Sequence, residues 1–498
     1  MEIFDLLLGG FQSALTPTNL LAAAFGAFLG TVVGILPGLG ASATIAIMIP
    51  VAFTMPADAG LIMMIAVYYG AMYGASTTSI LLNMPGAPSA VISTMDGYPL
   101  AKQGRAGPAI SITAIGSFFG SIVSILGVMF LTVPLSQFAL QFGAVEYTAV
   151  MVFALLMAAT LIGDSLIKGV FSIGLGVVFS LVGTDLQTGV ARFTMDMSHL
   201  LSGIDMIVVI IGVFGVGEVF YYLVTQRKEG TAGKRLDLKG SLIPTKQDFK
   251  ESVPPFFRGS VIGFVAGLLP GSGSTIASFI SYSVEKRISK TPEKFGKGAM
   301  QGLASVDTAN NASVGGALVP MFSLGIPGSG TTAVLLGALM MYGVTPGPQF
   351  MSNEVDLFWA IVASCFIANV VLIILNLPLI PLFVKVLDVP PRILMPVVLV
   401  IAFVGSYTLN GSFADLWLVV IFGILGFFMR VAGFSPALFV LAIVLGAELE
   451  RYFRQAIITT RGDLTAFVTS PISALLLGVS LAVLFFDIFW KSKKKKSA

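Results

Sequence analysis

Apolar residues run through this chain in continuous blocks, not in alternation. The blocks fall at 17–36, 40–55, 59–82, 109–135, 147–162, 166–183 and 204–224, then at 357–384, 393–409, 412–429, 434–447 and 464–490. Roughly 17–25 apolar residues carry a helix across a bilayer, whereas a spanning strand alternates every second residue. The pattern predicts an all-α polytopic membrane protein of about 10–12 spans. Residues 1–16, with Glu2 and Asp5, read as a short amphipathic or interfacial segment.

The interruptions are more informative than the blocks. Gly34-Ile35-Leu36-Pro37-Gly38-Leu39-Gly40-Ala41-Ser42 breaks a helix in mid-membrane, and Gly267-Leu268-Leu269-Pro270-Gly271-Ser272-Gly273-Ser274-Thr275 repeats it. Gly26, Gly30 and Gly34 match Gly259, Gly263 and Gly267 at one constant offset, and Pro37, Gly38 and Gly40 match Pro270, Gly271 and Gly273 at the same one. A lone Pro-Gly-x-Gly is weak, but matches in register so far apart indicate an internal repeat. A second pair of breaks aligns Met84-Pro85-Gly86 with Ile326-Pro327-Gly328, and with them Gly74-Ala75 with Gly316-Ala317. Leu175-Gly176 and Gly183 are spaced as Leu425-Gly426 and Gly433.

The loop charges invert between the copies. After the first break, 51–60 carry no basic residue, while the second copy has five between Lys286 and Lys297. After the second break the first copy has Lys102 and Arg105, while 343–358 hold only Glu354 and Asp356. Because basic loops stay cytoplasmic, equivalent loops face opposite sides, which predicts two inverted-topology repeats with broken helices or re-entrant hairpins. The expected division is a first repeat over 1–225, a cytoplasmic basic linker over 226–258, a second repeat over 259–490 and a cytoplasmic lysine-rich tail over 491–498. The arms beside Pro270-Gly271 are about 12 residues each, or about 18 Å, too short to cross alone. A re-entrant hairpin with both ends cytoplasmic is expected there, with one tilted, kinked span as the alternative. One turn departs from the charge scheme: Arg451, Arg454 and Arg461 fall on the outer side if 464–490 is one span, balanced by Glu448, Glu450 and Asp463.

Composition closes off other classes. The chain of 498 residues is 56% hydrophobic and 11% charged, with mean hydropathy +0.94, against about 25% charged in soluble domains. Its 55 glycines and 25 prolines suit close helix packing and broken helices. Cys365 stands alone, so no intrachain disulfide forms and an inert buried thiol is expected; the single His199 cannot anchor a multi-histidine metal site. The net charge of +3, concentrated in loops, reports topology and not nucleic-acid binding. Residues 1–8 lack a basic n-region, so a retained N-terminus is expected.

A proline-glycine break frees backbone groups at bilayer depth, tolerable only beside protein or a water-filled cavity. A helix restarting there aims its N–H groups and positive dipole end at the cavity, an anion site suited to carboxylate. The carbonyl ends of incoming half-helices coordinate a cation. The candidate substrate-binding residues are therefore Gly38, Gly40, Ser42, Asn83, Gly86, Gly271, Ser272, Ser274, Asn310, Asn311, Gly328, Ser329, Thr331 and Thr332. For Gly26, Gly30 and Gly34 close packing is the preferred reading. Asp307 is the candidate for coupling to sodium or protons, the choice between them being open, as is any metal. Asp164 with Lys168, Glu218 and Asp415 read as interfacial residues or structural ion pairs. Gly233-Lys234 and Gly296-Lys297 lack the following Ser or Thr of a phosphate loop, and no metal cluster, catalytic triad or dinucleotide fingerprint stands in the sequence. An ATP-driven pump or an enzyme is disfavoured, and no cofactor is expected. An anion channel would show a charged ring or filter. A secondary transporter fits best, with that channel or a non-transporting membrane scaffold or receptor as the alternatives.

At these residues the chain resembles the large membrane subunit of the tripartite tricarboxylate transporters, the TctA type. The resemblance rests on GILPGLG at 34–40, YGAMYGASTTSILLNMPG at 69–86, DGYPLAKQGRAG at 96–107 and GIPGSGTT at 325–332, and covers nearly the whole chain. It implies an importer of the bacterial cytoplasmic (inner) membrane, driven by an ion gradient. It also implies a small membrane subunit (TctB type) and a periplasmic solute-binding protein (TctC type) as partners. The substrates implied are organic acids: citrate, other di- and tricarboxylates and aromatic carboxylates.

Overall fold

The computed structural model describes residues 2–36, 40–162, 165–185, 188–225, 241–271, 273–385 and 391–496. Pro37, Gly38, Asp164, Ser272, 226–240 of the expected linker and 497–498 of the tail lie outside the described residues. The protein is an all-α polytopic membrane protein. In the first half its helices are α1 (Glu2–Ala14), α2 (Pro17–Ile35), α3 (Ala41–Ala52), α4 (Ala57–Leu82), α5 (Val91–Lys102), α6 (Ala106–Ala139), α7 (Ala144–Ile162), α8 (Leu166–Ser180) and α9 (Met206–Thr225). The second half has α10 (Lys246–Leu268), α11 (Gly273–Ile288), α12 (Met300–Leu324), α13 (Gly330–Met341), α14 (Val355–Asn376), α15 (Pro391–Asn410), α16 (Phe413–Val431), α17 (Pro436–Thr459) and α18 (Pro471–Lys496). Six of these described helices, α2, α4, α6, α9, α14 and α16, are long and apolar enough to cross a membrane. A two-residue-per-strand hairpin joins Gly183–Thr184 to Ala191–Arg192.

Two helix pairs form the centre, and both are held by bare glycine faces. A Cβ at Gly26, Gly30 or Gly34 of α2 would lie 2.2–2.4 Å from the carbonyl oxygen of Met63, Val67 or Ala71 on α4. A Cβ at Gly259, Gly263 or Gly267 of α10 would lie 2.2–2.7 Å from that of Ser305, Ala309 or Ser313 on α12. Lipid tails are as apolar as the helix surfaces, so backbone approach and van der Waals contact, not water exclusion, bind such pairs. The apolar window of α4 is entirely buried, and α12 is buried without interruption from Gly302 to Ser323.

The same local rules end the four helices around the breaks. Leu36 (φ −84°, ψ 116°) and Leu269 (φ −85°, ψ 124°) are extended because each precedes a proline, whose ring disfavours the helical region for its predecessor. Asn83 (φ 56°) and Gly325 (φ 70°) end α4 and α12 in left-handed conformation, the usual helix stop for those two residue types.

Around Pro270-Gly271 the chain doubles back. Arg258 Nε and Nη2 donate to Glu285 at 2.9 and 2.6 Å, which holds α10 and α11 side by side as a hairpin. The arms are longer than the sequence suggests. Thr245 and Asp248 form a capping box that starts α10 at Lys246, so the helix begins within the basic segment. Asp248 also accepts from Arg105, joining this polar end to the N-cap of α6. Burial works against the charged form, but the hydrogen bonds from Arg105 and Thr245 win and hold the Asp248 carboxyl below its usual range. A depressed carboxyl stabilises the fold above the unfolded value of about 3.9 and loses that contribution as pH falls through its folded value. Detergent-solubilised wild-type protein should therefore lose thermal stability across that acid range more steeply than Asp248→Asn. Equal acid slopes in thermal melts would show that the pair contributes nothing.

Two of the three arginines of the turn that departs from the charge scheme, Arg451 and Arg454, are paired with acids. Arg454 bonds Asp185 (2.9 Å) and Glu450 (2.7 Å), Arg192 bonds Glu450 (2.6 Å), and Arg451 bonds Glu448 (2.6 Å). Paired arginines give a weak topological signal because their charge is cancelled locally. His199 bonds Asp415 (2.9 Å), and Lys168 donates to the Ala432 carbonyl (2.6 Å).

Candidate functional site

All four breaks meet. A cavity of about 370 Å³ is lined from the first by Gly40, Ala41 and Ser42, and from the second by Gly271, Gly273, Ser274 and Thr275. The third contributes Ala87, Pro88 and Ser89, and the fourth Ser329, Gly330 and Thr331. Tyr68 and Met72 of α4, Ile276 of α11 and Ala437 of α17 complete it. Small-molecule sites span about 300–1,000 Å³. Among the described residues no charged side chain lines this cavity.

Direct bonds tie the breaks together. Ser42 Oγ and Thr331 Oγ1 are 2.9 Å apart, joining the first to the fourth. Gly271 N donates to the Gly328 carbonyl (2.9 Å), joining the second to the fourth. A Cβ on Gly86 would lie 2.4 Å from the Gly34 carbonyl, and one on Gly328 would lie 3.1 Å from the Gly267 carbonyl. Each Pro-Gly of the later breaks thus sits against the end of the helix leading into the earlier one. Gly271 (φ 78°) also has no room for a Cβ, which would stand 2.3 Å from Ala158 Cα.

Helix N-termini supply the chemistry. α3, α11 and α13 restart at the cavity wall, and the first-turn N–H groups of a helix have no intrahelical acceptor. Ser329 caps α13 in a reciprocal box: its N donates to Thr332 Oγ1 (2.8 Å) and its Oγ accepts from Thr332 N (3.2 Å). Tyr68 OH stands 3.4 Å from Ser329 Oγ. The sequence reading did not include the N-terminus of α17, where Ser435 accepts from Leu438 N (3.3 Å) and Pro436 and Ala437 follow. Its signal was present as Ser-Pro, an N-cap followed by proline at the first helical position. Tyr68 was missed as well, because it sits in a continuous apolar run with nothing local to distinguish it.

The remaining predicted residues separate into four groups. Gly86 lines an adjoining cavity of about 570 Å³ that shares Gly40, Ser42, Ala87, Pro88 and Ala437 with the first. Asn83 is exposed and lines neither cavity; its place is the left-handed end of α4. Gly328 and Thr332 are buried behind the cavity wall.

Asp307, Asn310 and Asn311 form a distinct buried polar group midway along α12, each 0% exposed. Asp307 accepts from Ser76, and from Ser93 at 3.3 Å. Asn311 Nδ2 donates to Ser117 Oγ (2.7 Å) and to the Asp307 carbonyl (3.1 Å). Among the described residues both side-chain polar atoms of Asn310 and the Oδ1 of Asn311 have no hydrogen-bond partner. Ser76 comes from the hydroxyl-rich stretch of α4, Ser93 from α5 and Ser117 from α6, so the group joins the two halves. Among the described residues no basic side chain pairs with Asp307.

The family described as "Tripartite tricarboxylate transporter TctA family" matches residues 20–441. A protein of Agrobacterium vitis named "Uncharacterized 52.8 kDa protein in TAR-I ttuC' 3'region" is 42% identical over 496 residues, 100% of this chain and 98% of its own length. A second from the same organism, "Uncharacterized protein in TAR-II ttuC' 3'region", is 43% identical over 234 residues, 47% of this chain and 97% of its own. No solved structure matches.

Proposed function

The chain belongs to the tripartite tricarboxylate transporter TctA family, the membrane component of a tripartite system, and from that premise we propose that it imports organic acid anions by ion-driven alternating access. The observation that carries the proposal is the convergence of four broken helices on one uncharged, hydroxyl-lined cavity. A carboxylate there accepts N–H groups from the restarting helices α3, α11 and α13 and hydroxyl hydrogens from Ser42, Ser274, Ser329 and Thr331, with the helix dipoles stabilising its charge. Recognition by dipoles and hydroxyls suits a carrier, because the site must release what it binds.

Asp307 is the coupling group of this proposal. A bare carboxylate buried without a basic partner is costly, so the cluster is suited to hold a cation or a proton, with the orphan oxygens of Asn310 and Asn311 available as further ligands. Sodium and protons both satisfy this chemistry. The two halves act as inverted repeats, one part of each moving against a fixed scaffold. A small membrane subunit and a periplasmic binding protein complete the machine in a bacterial cytoplasmic membrane, with the basic segment and the lysine-rich C-terminus on the cytoplasmic side.

Citrate uptake into proteoliposomes holding the chain and its partner subunits tests the site. Hydrogen bonds to charged groups contribute about 1.5–3 kcal/mol, so the double replacement Ser329→Ala, Thr331→Ala should raise the half-saturating citrate concentration by about tenfold or more. Unchanged affinity and rate would remove the cavity from the transport path.

A further inference from the structure

The adjoining cavity contains what the central one lacks, a pair of charged side chains. Arg430, in the last turn of α16, and Glu218, in α9, both line it and bond each other. Their exposures differ: the Glu218 side chain is 8% exposed and that of Arg430 39%. The acid is therefore the more deeply buried partner, and Arg430 is the one of the two with side-chain surface left exposed. The Tyr221 ring lies 4.5 Å from the guanidinium carbon, so an anion and an aromatic face fix its orientation. A guanidinium has five N–H donors in a rigid fork. One carboxylate partner leaves several of them for a second, and Arg is the residue whose geometry matches carboxylate bidentately. This cavity adjoins the central one, the two sharing Gly40, Ser42, Ala87, Pro88 and Ala437 in their linings. A ligand with one carboxylate at the helix N-termini has room to extend another toward Arg430.

We propose that Arg430 is a second carboxylate-binding subsite that selects di- and tricarboxylates over monocarboxylates. Glu218 holds the guanidinium in place and balances its charge when the subsite is empty. The inference rests on the carboxylate-transport reading above and adds to it a selectivity that the uncharged central cavity does not provide.

Binding of citrate, succinate and propionate to the full chain in lipid nanodiscs, measured by calorimetry, tests it. Arg430→Gln should weaken citrate and succinate by about tenfold or more while leaving propionate unchanged. Because that variant leaves Glu218 buried without its partner, the double variant Glu218→Gln, Arg430→Gln removes the pair as a neutral whole and should show the same selective loss. Arg430→Lys, keeping the charge without the fork, should fall between. If all three acids weaken alike, or none weakens, Arg430 is a structural ion-pair partner and the proposal is overturned. If wild-type protein binds none of the three acids, the carboxylate-transport reading itself fails, an outcome distinct from a loss confined to the variants.

Discussion

Gly263→Ala should leave little monodisperse protein after extraction from the membrane. The substitution adds one methyl group, and its carbon would lie 2.2 Å from the Ala309 carbonyl oxygen and 2.6 Å from Ala309 Cα. Those atoms are backbone, so no side chain can rotate away. Either α10 and α12 separate along their length or the helices distort. Ordinary overpacking in a core costs about 1–3 kcal/mol, and a rigid backbone obstacle belongs at or above the top of that range. Separation is especially damaging here, because helix pairs in lipid are held by close packing and not by water exclusion. Gly174→Ala in α8 is the control, since a Cβ there meets nothing within 4 Å. Fluorescence-detected size-exclusion profiles of the two variants decide the matter: similar recoveries would mean that the glycine face is not what holds the pair.

Asp307→Asn should abolish accumulation of citrate against a gradient while leaving citrate exchange measurable. The substitution keeps the size and the hydrogen-bonding capacity toward Ser76 and Ser93 but removes the charge. If Asp307 carries the coupling cation or proton, the variant binds substrate in the cavity yet gains nothing from the ion gradient. Losing a charged partner of about 1.5–3 kcal/mol weakens the driving ion by roughly one to two orders of magnitude. Uptake and counterflow in proteoliposomes, with and without sodium and with and without a proton gradient, separate the two activities and identify the ion. Full ion-driven accumulation by the variant would reduce Asp307 to a structural link between the halves.

Much of this architecture was legible from the chain. The continuous apolar blocks specify helices in a membrane, since that solvent forbids any spanning segment with unpaired backbone. Pro37 and Pro270 mark helix ends because a proline constrains its predecessor wherever the two stand. The spacing of Gly26, Gly30 and Gly34 reads as a packing face, and both that series and its counterpart at Gly259, Gly263 and Gly267 carry close helix contacts. The start of α10 was less visible, because the capping box of Thr245 and Asp248 lies inside a basic stretch that charge alone marks as a loop.

The site was legible as a set of breaks but not as a place. Local chemistry shows that each break frees N–H groups; it does not show that Ser42 and Thr331, 2.9 Å apart, share one wall. Nor does it show that Asn83, beside an equivalent Pro-Gly, caps a helix outside that wall. The Ser-Pro that starts α17 marks a helix end but not its place at the cavity, and Tyr68 and Arg430 enter only through packing. Their sequence surroundings are those of ordinary helix positions, and their partners lie far away along the chain. The sequence by itself determined the helical membrane class, the positions of the breaks and the family, because these follow from solvent, proline and glycine acting within a few residues. Only the tertiary structure decided which ends face one cavity, because that depends on glycine faces bringing distant helices to backbone contact at particular angles and depths.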